Sequence, residues 1–175
     1  FSLYSVSFLA QTTPLEKNSY NKLASYEELT EFIYQLDSLT DLLNVEVIGQ
    51  SVKGKNLYAL KYSDLEFGKD TSKIKLLLFA QQHGNEQSGK EGALLLATKL
   101  IQPILVDIFK KIDLILIPQM NPDGSEINVR FNANGMDLNR NHLILTEPET
   151  IAMHKLFNEY QFEATMDVHE YYPYT

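Results

Sequence analysis

Apolar residues at 29, 32, 33 and 36 recur at three- and four-residue spacing, which predicts an amphipathic helix. The capping-box pattern Ser25-Tyr26-Glu27-Glu28 stands immediately before it. Two β-rich runs, 45–48 and 57–62, flank a segment containing Gly54 and predict a hairpin. Ile74 to Ala80 is almost wholly apolar, the pattern of a strand covered on both faces, and 112–118 repeats it. Ser88-Gly89-Lys90-Glu91 reads as a second capping box, opening an Ala/Leu-rich helix that ends near Pro103. Thr146-Glu147-Pro148-Glu149 combines an N-cap, an early helical proline and a glutamate at the third position. The helix that follows sets Met153, Leu156, Phe157 and Tyr160 on one stripe, and Ala164 to Val168 reads as a third core strand. Strands alternating with helices predict an α/β sandwich with a largely parallel core sheet. In such sheets chemistry gathers in loops past the carboxyl ends of strands, here 81–88, 119–125 and 169–175.

Composition narrows the chemistry. The chain has 175 residues, suited to one domain, with 44% hydrophobic and 22% charged residues, the balance of a folded globular protein. Net charge is −8 and the 15 basic residues are scattered, so no nucleic-acid partner is expected. Cysteine is absent, which removes thiol nucleophiles, Cys-ligated zinc and disulfides; any metal must use His, Asp or Glu. Residues 1–10 are apolar and small, and Gln11-Thr12-Thr13-Pro14 is polar. This reads as the tail of a secretory signal peptide cut after Ala10, implying a secreted or periplasmic protein; the alternative is a short N-terminal strand. Residues 11–175 then form the domain. No apolar run is long enough to span a membrane, and nothing in the pattern specifies an oligomeric state.

The loop after the first buried strand contains His83-Gly84-Asn85-Glu86. H-x-x-E is a weak signal alone, but a strand end, a glycine turn and a helix start let imidazole and carboxylate converge as zinc ligands. The same loop offers a rival: Gly84 to Lys90 fits G-x-x-x-x-G-K, yet Glu91 follows where Ser or Thr would bind Mg²⁺, which argues against nucleotide. A third donor is found in His169, at the end of the third strand; His154 reads as a surface residue, and His142 as exposed or else as a residue supporting the metal ligands from behind. Glu170 is expected on the opposite face of that strand. Between the ligands, Asn121-Pro122-Asp123-Gly124 is a turn by composition, and an Asn-rich loop carries Arg130 and Arg140. Those arginines suit recognition of a carboxylate, or else pair with Asp123 and Asp137.

These pieces, His83-Gly84-Asn85-Glu86, Asn121-Pro122-Asp123-Gly124, Asn134-Gly135-Met136-Asp137-Leu138-Asn139-Arg140-Asn141 and Asp167-Val168-His169, stand in the order of the M14 zinc carboxypeptidase family, which the sequence closely resembles from about residue 25 onward. The stretch 48–60 is similar to that family's N-terminal hairpin. The resemblance implies a three-layer α/β sandwich around a mixed, largely parallel sheet. It implies one zinc per chain held by His83, Glu86 and His169, with Arg130 polarising the scissile carbonyl and Asn139 and Arg140 gripping the substrate's terminal carboxylate. The implied activity is hydrolysis of the C-terminal amide bond of a peptide. The family's general-base glutamate and capping tyrosine have no match here, and Tyr171, Tyr172 and Tyr174 stand too close to His169 to be that tyrosine. The expectation is therefore the N-terminal part of the domain, truncated at its C-terminal side, inactive alone and with an exposed hydrophobic sheet edge. Alternatives are a catalytically inactive binding domain, or an amidohydrolase of the same fold acting on cell-wall peptides or N-acyl amino acids.

Overall fold

The structure, a computed structural model, describes residues 11–171. Residues 1–10, on which the signal-peptide reading rests, and Tyr172 and Tyr174 lie outside the described residues. A one-turn helix, α1 (Pro14–Lys17), precedes α2 (Tyr26–Asp37). The predicted capping box forms at α2: Ser25 Oγ accepts from the Glu28 amide at 3.1 Å, and the Glu28 carboxylate accepts from the Ser25 amide at 2.8 Å. Strands β1 (Leu43–Gln50) and β2 (Asn56–Tyr62) make the predicted antiparallel hairpin. Then follow β3 (Ile74–Ala80), α3 (Gln87–Leu100), β4 (Ile112–Ile117), α4 (Pro122–Glu126), α5 (Pro148–Tyr160) and β5 (Ala164–Val168).

The sheet order is β1-β2-β4-β3-β5. β3 pairs in parallel with β4 and β5, whereas β1–β2 and β2–β4 are antiparallel, so the sheet is mixed in equal measure. Side-chain alternation divides it into two cores. On one face Tyr58, Leu60, Leu114, Leu116 and Ala80 pack under Leu29, Phe32, Ile33 and Leu36 of α2 and Ala93, Leu94 and Ala97 of α3. On the other, Ala59, Leu77, Phe79, Ile115 and Ile117 pack against Met153 and Leu156 of α5. This is the expected three-layer sandwich. β1 approaches α5 closely enough that a Cβ on Gly49 would meet the Ala152 Cβ at 2.6 Å.

Several local expectations are corrected. α3 begins two residues earlier than expected, with Glu86 in place of Ser88 at its N-cap and no side-chain cap. Ser88 and Glu91 form no box, because Glu91 is buried and accepts from the Ala24 amide at 2.8 Å. Lys90, the residue a phosphate loop would need, is also buried and donates to the Ala24 carbonyl, so it fastens the entry to α2. Glu147, not Thr146, is the N-cap of α5, with Pro148 at its first position. β5 is the edge strand among the described residues, with Met166 on it 58% exposed, in keeping with the exposed hydrophobic sheet edge expected above.

Candidate metal centre

The chain leaves β3 through Gln81, which has a left-handed backbone (φ 56°) and turns the next residues across the strand ends. Its buried amide fixes this bend by donating to Gly84 O at 3.0 Å and Ser125 Oγ at 3.0 Å. The loop lies hard against α4: a Cβ on Gly84 would meet the Gly124 carbonyl carbon at 2.2 Å and the Ser125 nitrogen at 2.4 Å. Gly124 in turn lies against Phe131 O, which a Cβ there would meet at 2.4 Å. Asn121 caps α4, accepting from the Gly124 amide at 2.9 Å, so the expected turn is a helical one.

His83, Glu86 and His169 come together, their donor atoms all within 4.8 Å of one another. His83 and Glu86 are buried, and His169 is half-buried at the end of β5. The Glu86 carboxylate bridges the two rings, 2.6 Å from His83 Nδ1 and 2.8 Å from His169 Nδ1, and also accepts from the Glu170 amide at 3.1 Å. Burial pushes the Glu86 carboxyl up, but the Glu170 amide and the two imidazoles outweigh it and hold it below the usual carboxylate range. Burial likewise disfavours charge on His169, yet hydrogen bonding to Glu86 and the nearby Asp167 raise its pKa overall. Two imidazole nitrogens and a carboxylate are a borderline-hard donor set that suits zinc, and the close convergence leaves little rearrangement for an ion to demand.

Both rings are supported from behind. His83 Nε2 lies 3.1 Å from Asp137 Oδ1, and His169 Nε2 lies 2.7 Å from Asp167 Oδ2. Asp137 Oδ2 also takes Nε and Nη2 of Arg130, each at 3.0 Å. Burial raises the Asp137 carboxyl, but Arg130 and His83 more than reverse this and keep it low. Arg130 is thus held with Nη1 3.8 Å from Glu86 Oε1, its side chain 39% exposed. Asn139 Nδ2 sits 3.3 Å from His169 Nε2, and Arg140 is exposed, donating to Asn139 O at 3.3 Å. All six residues singled out from sequence therefore lie around one end of the sheet or on the loop that reaches it.

Asp137 pairs with Arg130, as one sequence reading has it, but its contact with His83 and that of Asp167 with His169 were missed. Asp137 and Asp167 each stand two residues before another polar site residue, a D-x-N and a D-x-H, and that spacing was the available signal. Asp123, offered as an arginine partner, is buried against the hairpin loop instead, accepting from Ser51 Oγ and the Lys53 amide at 3.0 Å each. The exposed reading of His154, and the favoured exposed reading of His142, are corrected: both are half-buried, with His142 Nδ1 3.0 Å from His154 Nε2. Glu170 stays out of the metal cluster, its carboxylate accepting from the Ser88 amide at 3.0 Å.

A mixed α/β sandwich with a His/Glu/His cluster at the carboxyl ends of neighbouring parallel strands is the architecture of a metallopeptidase domain. Residues 29–174 match the zinc carboxypeptidase family, Peptidase M14, and the chain belongs to it. Among relatives, the carboxypeptidase N catalytic chain of Rattus norvegicus is 30% identical over 135 residues, covering 66% of this chain and 30% of that protein. Carboxypeptidase D of Mus musculus is 30% identical over 162 residues, covering 81% of this chain and 12% of that protein. This chain thus spans less than a third of either relative. Carboxypeptidase A from Helicoverpa armigera superposes with a TM-score of 0.75 at 24% identity, over 86% of this chain and 46% of that one. A Pseudomonas aeruginosa metallo-carboxypeptidase bound to (2-guanidinoethylmercapto)succinic acid does so with a TM-score of 0.70 at 27% identity, over 85% and 40%.

Proposed function

We propose that this chain carries the zinc-binding and carboxylate-gripping part of a metallocarboxypeptidase that hydrolyses the C-terminal amide bond of a peptide. The observation that carries the reading is the convergence of His83, Glu86 and His169 with a tethered Arg130 beside them. Zinc in this position supplies Lewis acidity, polarising a carbonyl and lowering the pKa of water to ~7. Arg130, held by Asp137, presents a fixed cation where negative charge develops on the carbonyl oxygen; loss of a single such donor costs about 2.7–4 kcal/mol elsewhere. Asn139 and Arg140 hold the substrate's terminal carboxylate, the guanidinium by a bidentate pair, and so set the scissile bond in register. That the Pseudomonas relative is seen with a succinic acid derivative supports a carboxylate-bearing substrate. Residues 11–175 then constitute the N-terminal part of the catalytic domain, and residues 1–10 the end of an export signal.

Each carboxylate around the cluster is already engaged: Glu86 and Asp137 with imidazoles, Asp167 with Gln82 and His169, and Glu170 with an amide. This favours a proton-handling group supplied from outside the chain, and it is equally what a non-catalytic binding domain would show. Metal analysis of the purified chain checks the common core of both readings. One zinc per chain is expected, abolished in His83→Ala and in His169→Ala; a chain that takes up no transition metal overturns it. Turnover then separates them. The chain alone is expected to release no C-terminal residue from a peptide, whereas the complete parent protein does so and loses that activity against C-terminally amidated peptides. A parent protein that binds such peptides without cleaving them is the inactive relative. One that cleaves only cell-wall peptides or N-acyl amino acids is the amidohydrolase.

A further inference from the structure

Behind His169 a line of hydrogen bonds runs away from the metal cluster to helix α5. Asp167 Oδ2 takes His169 Nε2 at 2.7 Å and also the side-chain nitrogen of Gln82 at 2.7 Å. Gln82 is wholly buried, and its oxygen faces His142 Nε2 at 2.7 Å; His142 Nδ1 faces His154 Nε2 at 3.0 Å. The direction of every bond is determined. A carboxylate only accepts, so Gln82 turns its NH₂ toward Asp167 and its oxygen toward His142. His142 must then carry its proton on Nε2, leaving Nδ1 as the acceptor, and His154 donates from Nε2. At the other end the same carboxylate accepts from His169 Nε2, which leaves Nδ1, 2.8 Å from Glu86 Oε2, as the nitrogen a metal would take.

We propose that Gln82, His142 and His154 are positioning residues for the metal site, acting through Asp167 to fix the ring orientation and tautomer of His169. The inference rests on His169 being a metal ligand, as argued above. Asp167 belongs to an exposed edge strand, and its carboxylate side chain is 29% exposed, so β5 alone holds it poorly. The buried amide of Gln82 supplies the missing constraint, and the histidine pair prevents that amide from turning over. His154 anchors the line on α5, whose Met153 and Leu156 are packed in the core. Burial, and then the neighbouring His154, disfavour charge on His142, which keeps one of its nitrogens an acceptor. Outer partners of metal-bound histidines typically change affinity by about 10–100-fold when removed.

The test measures zinc affinity of the chain by competition with a chelator, together with the visible spectrum of the cobalt-substituted chain. His142→Ala is expected to weaken zinc about 10-fold or more and to alter the cobalt spectrum, with the melting temperature of the metal-free chain little changed. His142→Gln, which restores an N–H toward Gln82, is expected to recover most of the affinity; a merely structural role predicts no such rescue. His154→Ala is expected to have the smaller effect, since it removes only the outermost constraint. If His142→Ala does not fold, Gln82→Met puts the same question one bond nearer the metal. Wild-type affinity and spectrum in these variants overturn the proposal, as does loss of a second zinc equivalent in His154→Ala, which makes the pair a separate metal site. His83→Ala serves as the control. If it too leaves zinc binding intact, the metal-centre reading has failed; if it alone abolishes binding, only the positioning line has.

Discussion

A methyl group on Gly84 would lie 2.2–2.5 Å from three backbone atoms of residues 124, 125 and 129, none of which can rotate aside. Glycine at this position therefore reflects contact, for its backbone needs no left-handed conformation. Gly84→Ala is expected to destabilise the chain at or above the upper end of the ~1–3 kcal/mol typical of overpacking, and to weaken zinc because the displaced loop carries both His83 and Glu86. Urea unfolding of the metal-free variant checks the first effect, and chelator competition the second. Asp137→Asn keeps the size of the side chain but removes the charge that orients His83 and Arg130. Zinc affinity is expected to fall by about 10–100-fold, with far less change in unfolding midpoint. The donors were legible in the sequence because their residue types are chemically restricted and their motifs short. The reason for Gly84 was not, since its neighbours come from forty residues away. His142 and His154 misled for a related cause: each is hidden by a partner that only the loop path supplies.

At the scale of elements, local pattern served where one element was self-sufficient. The capping box of α2 needs only residues 25–28, and it forms as read. Ser25→Ala is expected to cost about 1 kcal/mol, seen as a lower urea midpoint with unchanged slope. The similar string at residues 88–91 fails because tertiary demand on Glu91 and Lys90 at Ala24 outweighs the local cap. The start of α5 shows another such demand. Glu149 is buried there, accepting from the Val52 amide at 3.1 Å and from Asn132 Nδ2 at 3.2 Å, and burial raises its pKa. Its folded value therefore exceeds the unfolded one, about 4.3. The folded state holds this proton more tightly, so the group's contribution is full below the unfolded value and is lost as pH rises through the folded one. Glu149→Gln abolishes that loss. The stability of the variant relative to wild type is expected to climb as pH increases from about 4, by urea unfolding across pH; a flat or falling difference contradicts it.

Across the whole molecule, the alternation of strands and helices made the sandwich legible, whereas strand order was not. Residues 164–168 carry the pattern of a core strand, and among the described residues that strand has a neighbour on one side, β3. Met166 is exposed on that edge. Met166→Lys is expected to suppress concentration-dependent association of the chain in sedimentation velocity without loss of zinc. The same strand bears His169, and this gives the metal site a schedule. Glu86 and His169 are 83 residues apart, an interval of roughly 4–17 s at the ~5–20 residues per second of synthesis. Until β5 docks beside β3, the nascent chain holds only two of the three donors. An ion held by all three donors ties β5 to the loop that follows β3. Zinc should accordingly slow amide exchange in β5 far more than in β1 and β2.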